Sequence, residues 1–156
     1  MNLRLACLAT ALAALAALGV AYYVQDFMLL FPCPLCLWER WPYRIVILLG
    51  VVAAFSPRVL ARAILFLAVL ALLACAAIAF IHVGVEIHWW QSPLPECNGI
   101  LTPGAPLPMT PAKPCDEPTF LIPGLPVSMA AMDLLYALTF ALVLLGYIWR
   151  YRRRAA

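Results

Sequence analysis

The sequence contains very few charged residues for its length. Of its 156 residues, 11% are charged and 67% are apolar, and the mean hydropathy is +0.99. Soluble domains have about 25% charged and about 45–50% apolar residues, so most of this chain cannot face water. The shortage of charge excludes a disordered chain, a nucleic-acid-binding arm and an ordinary cytosolic enzyme. The sequence also lacks a nucleotide-binding motif, and no nucleic-acid partner is expected.

Long apolar runs make up most of the chain instead. Four runs cover residues 3–24, 37–55, 59–83 and 127–147. Each approaches the roughly 20 residues that a helix needs to cross the bilayer. The second run is the weakest, because its uninterrupted apolar part covers only residues 45–55. We therefore predict an all-α membrane protein that forms one domain, residues 1–156, with a bundle of four transmembrane helices.

The first apolar run has two interpretations. A short basic start followed by small residues is typical of a cleaved signal peptide. The apolar core of such a peptide is usually about 7–15 residues long, whereas this run is longer and three more runs follow it. We interpret it as a retained helix.

The arginines predict the orientation of the bundle. Antiparallel helices place both termini and the connection between the second and third helices at one end. That end carries Arg4, Arg58, Arg62, Arg150, Arg152, Arg153 and Arg154. By the positive-inside rule it faces the cytoplasm, and the two other connections, residues 25–36 and 84–126, lie outside the cytoplasm. Ten of the 14 prolines fall in the second connection, which prevents a long helix there.

Aromatic residues near the ends of the runs are typical of the two membrane interfaces. The outer belt is predicted to contain Tyr22, Tyr23, Trp38, Trp41, Tyr43, Trp89 and Trp90. The inner belt is predicted to contain Tyr147, Trp149 and Tyr151.

Six cysteines divide into two groups by position. Cys7 and Cys75 fall inside apolar runs, where a thiol behaves as a small hydrophobic group. The other four lie in the outer connections: Cys33, Cys36, Cys97 and Cys115. An even number of cysteines on the face outside the cytoplasm indicates disulfides.

The Cys33-Pro34-Leu35-Cys36 motif has three interpretations. Attachment of c-type haem requires a histidine directly after the second cysteine, and Leu37 stands there instead. A four-thiolate zinc site with Cys97 and Cys115 is an alternative, although these two cysteines are widely spaced. A redox pair is favoured, because a helix N-terminus next to two close cysteines stabilises a thiolate.

Arg40 is the first candidate to act on this pair. If a helix begins at Cys36, Arg40 lies one turn further along on the same face, and a nearby cation lowers a thiol pKa. Alternatively, Arg40 and Arg44 are snorkelling residues at the interface that pair with Glu39. A third possibility is that the regular helix begins at Pro42, in which case helical spacing would not place Arg40 on the same face as Cys36.

Three segments of the chain resemble the DsbB family of membrane disulfide-forming proteins. The segments are Leu30-Phe31-Pro32-Cys33-Pro34-Leu35-Cys36-Leu37-Trp38-Glu39-Arg40, then His82-Val83-Gly84-Val85-Glu86, and finally Cys97 with Cys115-Asp116-Glu117. The resemblance covers most of the chain from the first helix to the fourth. It implies a multi-pass protein of the bacterial inner membrane with its active loops on the periplasmic side.

The resemblance also implies a relay of electrons through cysteines. A reduced thioredoxin-fold oxidase of the DsbA type would attack the disulfide of the second loop, forming a mixed disulfide with Cys97 that Cys115 takes part in resolving. The electrons would then pass to the Cys33–Cys36 pair. Cys36 would face a quinone, either ubiquinone or menaquinone, and Arg40 would stabilise the charge that develops. No metal is expected, because thiol–disulfide exchange does not need one.

Two further groups of polar residues are candidates at the quinone site. His82 and Glu86 are four residues apart on the third helix and could take up or pass on protons, so we count them with Cys36, Glu39 and Arg40 as predicted quinone-binding residues. Alternatively, His82 and Glu86 are interfacial polar groups, together with His88. Asp133 is costly inside hydrocarbon, which makes it either a site residue or a neutral acid bonded to another helix.

A second class of function remains open from the sequence. The chain could be a non-catalytic membrane scaffold whose loops are held by structural disulfides, or a DsbB paralogue with one dedicated partner. A structural disulfide usually closes a longer loop than the two residues between Cys33 and Cys36. This spacing favours the redox function.

Overall fold

The computed structural model describes residues 2–98, 113–122 and 124–155, and within them the protein is almost entirely helical. Its α-helices are α1 (Leu3–Asp26), α2 (Pro34–Phe55), α3 (Arg58–Glu86) and α4 (Met129–Ala155). A short 3-10 helix covers Pro95–Asn98, and one isolated β-bridge joins Phe120 to Ser128. The predicted all-helical class is confirmed.

The second helix begins earlier than predicted. Cys33 has an extended backbone and caps the helix, and Pro34 occupies the first helical position, where a missing N–H has no cost. Pro42 lies inside α2, so the possibility that the helix begins there is wrong. Cys36 consequently lies within the first turn of the helix.

The other boundaries differ by a few residues. α1 ends at Asp26 and α3 continues to Glu86, beyond the predicted ends at residues 24 and 83. α4 begins at Met129, two residues later than predicted, and continues to Ala155. The extension of α3 brings His82, Val85 and Glu86 into the folded bundle, where all three are buried.

Three helices among the described residues are long and apolar enough to cross a membrane. They are Leu3–Asp26, Arg58–Glu86 and Met129–Tyr151. α2 has 22 residues, a length of about 33 Å, but its first half contains Glu39, Arg40 and Arg44. Glu39 and Arg40 are buried inside the protein, so of these three charged residues only Arg44 is exposed at the surface of the bundle.

The helices form an up-and-down bundle. α1 packs on α2, α2 on α3, and α3 on α4. Only Ser56 and Pro57 separate α2 from α3, and so short a connection makes the two helices antiparallel neighbours. The hydroxyl of Tyr136 on α4 donates a hydrogen bond to the carbonyl of Ala13 on α1, at 2.9 Å.

The two ends of the bundle have different chemistry. At one end, here called the arginine end, the beginning of α1, the connection between α2 and α3 and the last part of α4 meet around Arg4, Arg58 and Tyr151. At the other end, here called the cysteine end, α2 begins and α3 ends, near Cys33. Arg4 and Arg58 thus lie at the end of the bundle opposite the redox candidates.

Small residues allow α1 and α2 to approach closely. A Cβ atom added to Gly50 would lie 2.9 Å from the backbone nitrogen of Ala11 and 2.9 Å from the carbonyl oxygen of Cys7. Cys7 is fully buried in the main core, which agrees with its interpretation as a small hydrophobic group. This contact holds α1 and α2 together in the second half of α2.

Candidate functional site

Cys33 and Cys36 face each other across the first turn of α2. Their Sγ atoms are 2.9 Å apart and are not joined by a disulfide. The backbone N–H of Cys36 donates to the Sγ of Cys33 at 3.3 Å. The hydrogen bond from the Cys36 thiol lowers the pKa of the Cys33 thiol despite its burial, and the backbone N–H contributes in the same direction. Cys33, which caps the helix, is thus the cysteine that the helix N-terminus favours as a thiolate.

Cys97 and Cys115 form a disulfide within the second connection. This disulfide belongs to the same apolar cluster as Cys33, Leu35 and Val85, with Cys36 packed against the cluster. All four outer cysteines therefore lie together at the cysteine end. Sulfur atoms in one packed cluster are suited to exchange, because a thiolate must reach a disulfide directly.

The zinc alternative does not fit this arrangement. The Cys97–Cys115 disulfide removes two of the four thiolates that the site requires. Cys33, Cys36 and His82 offer donor atoms that all lie within 4.8 Å of one another. These are three donors, one fewer than the four protein ligands of a structural zinc site.

His82 connects the cysteine pair to a buried carboxylate. Its Nε2 lies 3.4 Å from the Sγ of Cys33, and its Nδ1 lies 2.8 Å from Oε1 of Glu39. His82 is 3% exposed and Glu39 is 7% exposed. The interfacial alternative is wrong for His82, and Glu39 pairs with this imidazole rather than with Arg40 or Arg44. A thiol next to an imidazole that a carboxylate orients is an arrangement that activates a nucleophile.

Arg40 is buried beside Cys36 and has an unusual set of partners. Its guanidinium donates to Oε1 of Gln25 at 2.7 Å and to the carbonyl of Ala21 at 3.5 Å, and it lies over the Tyr22 ring. Its Nε–H has no hydrogen-bond partner among the described residues, although the atom is buried. A buried donor without a partner is costly and therefore indicates a missing acceptor.

Arg44 behaves differently from Arg40. It is exposed, donates to the hydroxyl of Tyr22 at 2.7 Å and lies over the Trp41 ring. This environment is that of a snorkelling interfacial arginine. The two arginines that the sequence presents together therefore have separate environments.

A cavity of about 310 Å³ lies against this face of α2. α1 contributes small apolar residues from Ala16 to Val24, and α4 contributes residues between Met129 and Tyr136. Cys36, Glu39, Arg40 and Tyr43 form the α2 wall, and Leu30, Phe31 and Pro32 lie at the cysteine end. A mostly apolar hollow with a few polar groups is typical of a small-molecule site, and this volume is at the lower end of that range.

Asp133 lies on the α4 wall of the same cavity. The hydroxyl of Tyr43 donates to its Oδ1 at 2.7 Å, and the thiol of Cys75 donates to its Oδ2 at 3.6 Å. Asp133 is thus hydrogen-bonded to α2 and α3 while it also lines the cavity, so both sequence alternatives for it stay predictions. Tyr43 is buried, so its predicted place in the outer aromatic belt is wrong.

Glu86 and His88 lie away from the cavity. Glu86 is buried and accepts a short hydrogen bond from the hydroxyl of Ser128, which joins the end of α3 to the beginning of α4. His88 is exposed, with its Nε2 3.9 Å from a carboxylate oxygen of Asp116. Of the predicted quinone-binding residues, Cys36, Glu39 and Arg40 line the cavity, His82 contacts Glu39, and Glu86 does neither.

The chain that leads to Cys97 is folded back onto α3. The Trp90 indole donates from Nε1 to the carbonyl of Ile81 at 3.0 Å. A Cβ atom on Gly84 would lie 2.0 Å from the Trp90 ring, so only glycine allows this contact. The contact fixes the start of the connection that carries Cys97.

Sequence analysis did not identify Gln25, Tyr43 or Ser128 as site residues. Tyr43 follows Arg40 by three positions, so helical spacing from Cys36 and Arg40 could have placed it on the same face of α2. Gln25 and Ser128 belong to other elements, and their contacts with Arg40 and Glu86 depend on how the helices pack.

Comparison with known proteins gives a consistent result. The family described as "Disulfide bond formation protein DsbB" matches residues 3–147. The chain is similar to "Disulfide bond formation protein B" of Herminiimonas arsenicoxydans, with 40% identity over 87 residues, which are 56% of this chain and 55% of that protein. The match thus spans about half the length of this curated relative. No solved structure matches the chain.

Proposed function

Since this chain belongs to the DsbB family of disulfide bond formation proteins, we propose that it catalyses quinone-dependent oxidation of a periplasmic thioredoxin-fold oxidase of the DsbA type. This reaction would drive disulfide formation in secreted proteins. One observation carries the proposal: Cys36 lies on the wall of the apolar cavity, while the adjacent Cys33 packs in a cluster with the Cys97–Cys115 disulfide. The pair thus lies between a sulfur donor and a hydrophobic acceptor site.

The proposal includes a topology for the chain in the bacterial inner membrane. α1 to α4 would each cross the membrane as parts of one domain, residues 1–156, with both termini in the cytoplasm. The cysteine end would face the periplasm, where disulfides persist. The separation of the arginines at the opposite end supports this orientation.

The first chemical step is exchange with the soluble partner. A thiolate of the partner attacks the Cys97 sulfur and forms a mixed disulfide, and Cys115 leaves as a thiolate. The second thiol of the partner then attacks the mixed disulfide, which releases the oxidised partner and leaves Cys97 as a thiol. Two electrons have then moved from the partner to the Cys97/Cys115 pair.

The second step transfers these electrons to the pair at the beginning of α2. In the resting enzyme Cys33 and Cys36 would be a disulfide, and the observed unbonded pair would represent its reduced state. The Cys115 thiolate attacks Cys33, and Cys36 leaves as a thiolate beside the cavity. Cys97 then completes the exchange and restores its disulfide with Cys115. Packing of Cys115 in one cluster with Cys33 supports this order.

His82 and Glu39 would manage the proton on Cys33. The imidazole lies 3.4 Å from the Cys33 sulfur, close enough to take its proton when Cys33 and Cys36 return to the disulfide. The Glu39 carboxylate holds the ring by its Nδ1 and stabilises the imidazolium that forms. The site is buried and needs such a pair, because an isolated charge there would be costly.

The cavity fits a quinone. When bound, a quinone supplies an acceptor of two electrons and two protons, which are what the Cys33–Cys36 dithiol loses on becoming a disulfide. The unpartnered Nε–H of Arg40 offers a donor for a ring oxygen, and the apolar walls accept the ring itself. Cys36 on the same wall would place its sulfur beside a bound ring. Small residues of α1 line the side on which an isoprenoid tail could leave toward lipid.

A scaffold with two structural disulfides has less support. A scaffold gives no reason for a buried arginine with a free donor on the wall of an apolar cavity. We therefore favour the enzyme.

Purified protein in lipid nanodiscs, mixed with reduced DsbA-type partner and ubiquinone, provides the test. We expect catalytic loss of the quinone absorbance, and we expect Cys36→Ala and Cys97→Ala to abolish it. Cys7→Ala is the matched control, because Cys7 is a cysteine buried in the main core, and it should keep wild-type turnover. No quinone reduction by the wild type, with ubiquinone or menaquinone, would contradict the proposed function.

A further inference from the structure

The cavity has a second polar position in addition to Arg40. Asp133 and Tyr43 both line it, and the Tyr43 hydroxyl donates to Oδ1 of Asp133 at 2.7 Å. Oδ2 accepts only the weaker hydrogen bond of the Cys75 thiol, at 3.6 Å. The hydrogen bond from Tyr43 thus fixes one carboxyl oxygen and leaves the other able to bond a ligand.

The surroundings of Asp133 favour a neutral carboxyl group. Among the residues that the structure describes, no lysine, arginine or histidine forms an ion pair with it. A buried carboxylate without a cation is costly, so such a group keeps its proton. With Oδ1 accepting from Tyr43, Oδ2 is the oxygen that would carry the hydrogen of the neutral group.

The two polar positions lie on different walls of the cavity, Arg40 on α2 and Asp133 on α4. Tyr43 follows Arg40 by three residues on the same wall of α2, which is a rise of about 4.5 Å along the helix. A ring bound between these two walls can present one oxygen to Arg40 on α2 and the other to Asp133 on α4. Tyr43, whose hydroxyl bonds Asp133, thus belongs to the helical turn that follows Arg40.

Arg40 and Asp133 differ in what they can bond. A guanidinium only donates, so it favours a carbonyl oxygen over a hydroxyl hydrogen. A neutral carboxyl both donates and accepts, so it can bond the carbonyl of an oxidised ring and the hydroxyl of a reduced ring. The position of Asp133 thus suits an oxygen that changes between these two forms.

We propose that Asp133, oriented by Tyr43, binds the ring oxygen opposite the one that Arg40 binds. The cavity then has a donor for each oxygen of a para-quinone. This inference rests on the proposed function, because it names a second contact for the same substrate. It makes Asp133 a binding residue and Tyr43 the residue that positions it.

Equilibrium binding to the oxidised protein tests the inference without turnover. With Cys33 and Cys36 held as a disulfide, no electrons can be transferred, and binding of short-chain ubiquinone is followed by quenching of tryptophan fluorescence. We expect Asp133→Leu to weaken binding about tenfold, the loss of one buried hydrogen bond. Asp133→Asn, which can still donate and accept, should stay within about threefold of wild type. Asp26→Asn, an exposed carboxyl at the end of α1, is the control and should not change binding.

Infrared difference spectra give a readout that a merely structural residue would not affect. Addition of quinone to the oxidised wild type should shift the C=O stretch of a protonated carboxyl, and Asp133→Asn should lack that shifted band. Tyr43→Phe should change the position of the band, since it removes the donor to Oδ1.

The outcomes separate this inference from the proposed function. Wild-type affinity in Asp133→Leu, together with an unshifted carboxyl band, would overturn the role of Asp133 while the wild type still bound and reduced quinone. No binding by the wild type itself would overturn both. If Asp133→Leu does not fold, the shifted carboxyl band of the wild type and its absence in Asp133→Asn decide.

Discussion

Replacement of Arg40 by methionine gives the sharpest test of the quinone site. Arg40→Met keeps a long flexible side chain on the cavity wall but removes the guanidinium. The hydrogen bonds to Gln25 and to the Ala21 carbonyl disappear, and so does the free Nε–H that lies beside the cavity. The cysteine cluster does not include Arg40, so its packing should remain.

The size of the effect follows from the lost hydrogen bond. A hydrogen bond from a charged donor to a buried acceptor contributes about 1.5–3 kcal/mol. Since about 1.4 kcal/mol corresponds to a factor of ten, quinone affinity should fall by about 10- to 100-fold. Exchange between the soluble partner and the Cys97–Cys115 disulfide should change by less than about twofold, because no guanidinium contact takes part in it.

The assay measures the two half-reactions separately. The apparent Kd for quinone is obtained by titration of the oxidised protein, and partner exchange is obtained from the rate at which reduced partner is oxidised in a single turnover without quinone. Arg40→Lys retains the charge without the fork of donors and should lose less affinity than Arg40→Met. Equal losses in quinone affinity and in partner exchange would refute the assigned role of Arg40.

Three further predictions concern other parts of the protein. His82→Ala should slow the oxidation of the Cys33–Cys36 dithiol by about 10²-fold or more, since general base catalysis contributes about 10²–10⁴-fold, while quinone affinity stays near wild type. Stopped-flow measurements of dithiol oxidation would show this loss. An unchanged rate would exclude the imidazole as a base. Gly50→Leu should destabilise the bundle by about 1–3 kcal/mol through overpacking against α1, as measured by thermal unfolding. Gly19→Leu is its control, because that position has open space around it, and equal destabilisation of both would contradict the close contact. Cys36→Ala removes the donor that lowers the pKa of Cys33, so the pH midpoint of Cys33 alkylation should rise, whereas Cys36→Ser keeps a donor and should show a smaller rise.

Local sequence signals identify part of this site. Cys33, Cys36, Glu39 and Arg40 lie within eight residues, and helical spacing alone places Arg40 one turn after Cys36. The apolar runs likewise predict four helices at nearly the right positions. The beginning of α2 was missed because Cys33 acts as the cap and Pro34 as the first residue of the helix, a pattern that the apolar run alone does not reveal.

Contacts between helices lie beyond what such spacing can predict. The i, i+4 pattern on α3 suggests Glu86 as the neighbour of His82. In the structure His82 instead contacts Glu39 on α2, because α3 packs on α2. Tyr43 was assigned to the interface because aromatic residues are frequent there, yet its hydroxyl bonds a buried acid on α4. Asp133 is a candidate from the sequence because burying a carboxyl group in hydrocarbon is costly. Its partners, Tyr43 and Cys75, cannot be predicted in this way, because they depend on how α2, α3 and α4 pack together.

The central claim is that the Cys33–Cys36 pair passes electrons directly to a quinone in the adjacent cavity. A single-turnover experiment with the Cys97→Ala/Cys115→Ala double variant tests it, because no other outer cysteines remain and no partner is present. The variant is reduced chemically, freed of reductant and mixed with ubiquinone under exclusion of oxygen. We expect one equivalent of quinone to be reduced per chain, with Cys33 and Cys36 recovered as a disulfide by mass spectrometry. A variant that binds quinone but leaves both the quinone and the dithiol unchanged would contradict the claim.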